Sequence, residues 1–168
     1  MKRKLLFILP LFMVFLAVQT SNAQQMYDGA YFSTQTADDN WIIQPMDIDF
    51  DGEVANFILP NGDNLQAYLM IVSMAEVADL DAAERFMESQ IESYDFLQAA
   101  ERGAIVESDF LDLPSITMEF KTTINGAKFE GDLAAIVVNE VMYFFMLYCD
   151  PSYDGSGYIP LLANFEVK

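Results

Sequence analysis

ITMEFKTTI (116–124), NG (125–126), AKFEGDLAAIVV (127–138), NE (139–140) and VMYFFMLYC (141–149) follow one another without interruption. Three runs rich in β-branched and aromatic residues are thus divided by pairs that accept positive φ. This is the pattern of an antiparallel meander with tight turns. In the first run Ile116, Met118 and Phe120 share one face, while Thr117, Glu119, Lys121 and Thr123 share the other, so that strand has one face in water. The third run differs. Met142, Phe144, Met146 and Tyr148 alternate with Tyr143, Phe145, Leu147 and Cys149, so neither face carries charge and both must be covered. A helix on one side and a second helix, a long loop or a partner on the other would do it.

Working back from the meander, Leu65 to Met74 is another strand without charge on either face, expected at the centre of the sheet beside the run ending at Cys149. Between these two, Leu80, Ala83, Met87, Ile91, Tyr94 and Leu97 recur at spacings of three and four, with Glu84, Glu88, Glu92 and Asp95 off that stripe. The spacing predicts a long helix, opened by Asp81 and Glu84 as a capping box and stopped between Glu101 and Gly103. Ile105 to Leu113 is a short irregular strand, and Leu113-Pro114-Ser115 leads into the meander. Tyr158 to Phe165 is a short terminal helix with Pro160 in its first turn. The fold class expected is α+β: a single antiparallel sheet covered by one long helix and a short C-terminal helix, an α-β-α sandwich.

The first 23 residues stand apart. Lys2, Arg3 and Lys4 precede an apolar run from Leu5 to Val18, and Ser21-Asn22-Ala23 supplies small residues before Gln24. That is the layout of a secretory signal peptide, and the run is shorter than the roughly 20 residues a membrane span needs. Cleavage near Ala23 would leave a periplasmic or extracellular protein with no membrane span. Residues 24–40 form a polar N-terminal arm or edge strand with Tyr27, Tyr31 and Phe32, and 41–168 form the domain proper. Trp41-Ile42-Ile43 opens its first firm strand, and Pro45 assigns that strand to an edge or gives it a bulge.

Charge and composition narrow the functional classes. The chain has 8 Lys and Arg against 26 Asp and Glu. Without the leader's three bases, five bases face 26 acids, a net charge of −21. Such a surface repels nucleic-acid phosphates and anionic headgroups, and favours cations, basic partners or plain solubility. No histidine is present, which excludes Ser-His-Asp and Cys-His catalysis and any His-ligated metal. Cys149 is the single cysteine, so packing must stabilise the fold without disulfides.

One segment carries candidate ligands. Asp47, Asp49, Asp51 and Glu53 lie in Met46-Asp-Ile-Asp-Phe-Asp-Gly-Glu53, whose Asp-x-Asp-x-Asp-Gly matches the first half of a calcium-binding EF-hand loop. The twelfth position falls on Ile58, where a bidentate Glu is required. The competing expectation is a strand with Ile48 and Phe50 inward, turning at Asp51-Gly52 into Val54 to Leu59. Calcium is therefore the one candidate cofactor, and it belongs to the alternative.

The order of elements, with Leu111-Asp112-Leu113-Pro114 leading into Ile116-Thr117-Met118-Glu119-Phe120, the Gly126 turn, Val141 to Leu147 and the closing Leu161-Leu162-Ala163-Asn164-Phe165, resembles the PsbP-like, Mog-type domains. The resemblance spans most of Trp41 to Val167 and implies an α-β-α sandwich. That family is largely one of assembly or stabilising subunits and protein-binding modules, and it supplies no catalytic residue to carry over. The expected function is an exported, non-catalytic binding or accessory domain with a protein partner or small ligand in the export compartment. A calcium-responsive module and a small two-carboxylate hydrolase are the alternatives.

Overall fold

The computed structural model describes residues 24–168; the leader expected over residues 1–23 lies outside them. Eleven strands and three helices follow in order: β1 (Met26–Asp28), β2 (Phe32–Gln35), β3 (Ile42–Met46), β4 (Gly52–Asn61), β5 (Asn64–Ala75), α1 (Leu80–Ser93), α2 (Asp95–Gln98), β6 (Glu101–Arg102), β7 (Val106–Phe110), β8 (Leu113–Ile124), β9 (Ala127–Val138), β10 (Val141–Cys149), α3 (Tyr158–Ala163) and β11 (Glu166–Val167). An eight-stranded sheet runs β3-β4-β5-β10-β9-β8-β6, with β7 also on β8; β1, β2 and β11 form a second sheet. Every pairing is antiparallel.

The meander falls where the turn residues put it. Asn125 and Gly126 adopt φ of 52° and 85°, Asn139 and Glu140 of 53° and 62°, as tight hairpins require. β5 lies beside β10, with Ala67 opposite Cys149 and Met74 opposite Met142. Both strands are buried on both faces, and two separate cores result. On one face Met70, Val72, Met142, Phe144 and Met146 pack with Ile116, Met118 and Phe120 from β8 and with Ala83, Met87 and Ile91 from α1. On the other Leu69, Ile71, Tyr143 and Phe145 pack with Phe32, Trp41, Tyr158 and Leu161.

The second sheet corrects the expected fold class. The molecule is mostly β, with two sheets and three short helices, and is not a single sheet under a long helix. The helix ends early because Tyr94 leaves the helical region (φ −106°, ψ 115°). A single turn, α2, follows before the chain turns extended again at β6. Its N-cap is Asp79, whose side chain accepts from Ala82 N–H at 2.9 Å; Asp81, expected to cap, sits in the first turn. Opposite α1, the covering layer is the small sheet and α3. β2 contributes Phe32, and Phe165, just ahead of β11, packs against Phe32 at a tilt and edge-on against Tyr143 and Phe145, with ring centroids 5.1 to 5.5 Å apart. α3 is fastened through Tyr158, whose hydroxyl accepts from Tyr68 N–H at 3.1 Å and donates to the Tyr148 carbonyl at 2.6 Å.

The strands β1 and β2 of residues 24–40 help close the second face. Cys149 ends β10 half-buried; burial, then Glu130, Asp150 and Asp132, push its thiol above the ordinary value.

Candidate functional site

A recessed surface lies where α1 meets the edge of the large sheet. It arises from three local choices. First, α1 turns its apolar stripe onto the sheet, so the acids between the stripe positions are left along its flank: Asp81, Glu84, Glu88 and Glu92. Second, the chain leaving α2 runs back along β8 as β6 and β7. Arg102 pairs with Phe120 and Val106 with Thr117, so four steps on the edge match three on β8. The extra residue makes a bulge opposite Met118, and Ile105 packs there against the helix-side core. Third, a tight turn at Leu111 and Asp112 (φ 55° and 59°) returns the edge into β8.

The result is a groove between α1 and the edge strand. One end is a hollow of about 180 Å³ lined by Leu80, Asp81, Glu84, Ile105, Glu107 and Ile116. Beyond Ile105 it continues as a more open trough of about 510 Å³ lined by Glu88, Ile91, Glu92, Arg102, Gly103 and Met118. The floor is apolar and comes from β8, α1 and Ile105. The walls carry five carboxylates against one guanidinium. None of the five carboxylates enters an ion pair or a side-chain hydrogen bond among the described residues, where the ion pairs are Lys121–Glu130 and Lys168–Asp28. Acids at i, i+4 repel by a few tenths of a kcal/mol per pair, so Glu84, Glu88 and Glu92 repel one another along α1, and added positive charge alongside would relieve it.

The sequence-predicted ligands lie elsewhere. Met46 to Asp51 is not the expected strand: β3 stops at Met46, 47–48 is irregular, 49–51 is a bend, and β4 starts at Gly52. Gly52 is needed there because a Cβ would lie 2.1 Å from the Ser73 carbonyl oxygen. Asp47 and Asp49 are exposed on this segment. Asp51 accepts a hydrogen bond from the Tyr31 hydroxyl. Glu53 accepts from three consecutive backbone N–H groups, Ala30 at 2.7 Å, Tyr31 at 3.1 Å and Phe32 at 2.9 Å. Burial and this carboxylate push Tyr27 up to about 12. Asp51 and Glu53 thus tie the small sheet to the large one, and among the described residues no group of three or more acidic or cysteine side chains is arranged around a metal position.

The groove was missed in the sequence, although the row Glu84, Glu88, Glu92 was visible as the polar side of the helix. Its other wall depends on a bulge and on a Leu-Asp turn that lacks the usual Gly or Asn.

No family model matches the chain, and no curated protein matches it. Solved structures share the fold. A protein from Bacteroides thetaiotaomicron superposes with a TM-score of 0.52 at 14% identity, over 86% of this chain and 48% of its own, so the chain spans about half that molecule. LpqN of Mycobacterium tuberculosis, described as involved in cell envelope biogenesis, superposes with a TM-score of 0.51 at 8% identity, over 87% of this chain and 91% of its own. Among the described residues no helix is long and apolar enough to cross a membrane.

Proposed function

We propose that this chain is an exported, non-catalytic binding or accessory domain of the cell envelope, and that it engages its partner in the groove between α1 and the edge strand. The observation that carries this reading is the groove's composition: an apolar floor flanked by the unpaired carboxylates of Asp81, Glu84, Glu88, Glu92 and Glu107. The central strands of the large sheet are already covered on both faces by the chain itself, so a partner meets the molecule at an edge or a groove. The export-type leader and the envelope role given for LpqN point the same way.

The test is the size of the native particle. Extracts of the producing cell's envelope, resolved under native conditions, are expected to hold the wild-type chain in a complex larger than a monomer. Reversing two groove charges together, Glu84→Lys with Glu88→Lys, should release it as a monomer of unchanged circular dichroism. A variant that stays in the complex would overturn the assignment.

A further inference from the structure

Resting on that docking surface, we infer that the occupant of the groove is a cationic segment in extended conformation, which adds to the large sheet as a new strand along β7. Three observations converge. β7 is an edge: it pairs with β8 on one side and with nothing on the other among the described residues. Alternate backbone N–H and C=O groups of an edge strand face outward and can hydrogen-bond an incoming chain.

Register then places the carboxylates. Glu107 stands opposite Ile116 and Asp109 opposite Pro114, so both share the helix side of the sheet, together with Ile105 in the core beneath α1. A strand laid on β7 runs about 4.8 Å outside it. Its helix-side residues would stand beside Glu107 and Asp109, and a lysine or arginine among them would point its head at the hollow that Glu107 shares with Glu84. The apolar floor of Ile105, Ile116 and Met118 suits such a stem, which buries its methylenes while its head stays among the acids.

Charge selects the occupant. Like charges facing across a strand pair are destabilising and opposite ones favourable. Glu107 and Asp109 therefore disfavour pairing with a second copy of this acidic chain, the usual role of charge on an edge, while they favour a basic strand.

The experiment uses protein isolated from the producing cell and a fluorescent, end-capped decapeptide of alternating lysine and valine, with binding read by anisotropy. Two derivatives carry N-methyl groups on the odd or on the even residues, and a third has glutamate for every lysine. The parent peptide is expected to bind, the glutamate peptide not to bind, and one methylated series to weaken at least tenfold more than the other, because only one set of N–H groups faces β7. Glu107→Gln with Asp109→Asn should weaken the parent severalfold. No binding of the parent, equal binding of the glutamate peptide, or equal effects of the two methylated series would each overturn the inference. Since the native-particle experiment uses no peptide, a groove-dependent complex alongside any of these results would sink the cationic strand and leave the docking site standing.

Discussion

Glu53 shows how a residue chosen by one chemical logic serves another. Its place after Asp-x-Asp-x-Asp-Gly suggests an ion ligand, and in the fold its carboxylate accepts from the N–H groups of Ala30, Tyr31 and Phe32. Hydrogen bonds to a charged acceptor are individually worth more than neutral ones. Glu53→Gln, which puts an NH₂ against those donors, should cost about 2 kcal/mol and lower Tm by roughly 5 °C in a chain of this size, measured by calorimetry.

Asp132 gives the pH-dependent counterpart. Burial, then repulsion from Glu119, which faces it across β8 and β9, raises its carboxyl above the usual range. The folded state therefore holds this proton more tightly than the unfolded chain. Stability from this group is greatest below the ordinary carboxylate pKa and is lost as pH rises through the raised folded value. Asp132→Asn should melt higher than wild type at pH 7, with the difference closing by pH 3.5. A gap that widened toward acid would reverse the assignment.

Among the elements, α1 separates what periodicity can and cannot specify. The stripe of Ala83, Met87 and Ile91 was legible, and all three are buried against the sheet. The cap was misplaced by two residues because Asp79 and Asp81 are both plausible acceptors, and only backbone geometry distinguishes them. Asp79→Ala should lower unfolding free energy by about 1 kcal/mol, whereas Asp81→Ala should change it by only a few tenths; urea melts of the two variants decide between the positions. The early end at Tyr94 was hidden for a related reason. Tyr94 keeps the spacing of the stripe and packs against the core and Phe96, so its departure from helical geometry leaves no mark in the apolar pattern.

At the scale of the whole molecule, the doubly apolar strands β5 and β10 announced that two faces needed cover, and their adjacency followed from having no charged side to expose. The C-terminal helix over part of the second face was legible, but the small sheet beside it could not be read the same way. Tyr27 and Phe32 lie near one end of the described chain and Phe165 and Val167 near the other. They meet over Tyr143 and Phe145 only through the pairing of β2 with β11. Pairing across that separation has no local period, whereas the NG and NE turns of the meander do, which is why one was legible and the other was not. The groove follows from the same layered plan: α1 covers only part of its face, and the edge strand beyond it is left open on its outer side.

A photo-crosslinking scan in the producing cell addresses the groove most directly, with the crosslinking side chain placed singly at Glu84, Glu88 and Glu107, and at the distant hairpin tips Asp63 and Asn125. The account predicts one discrete adduct from each groove position and none from the tips. Adducts from the tips with none from the groove would contradict it.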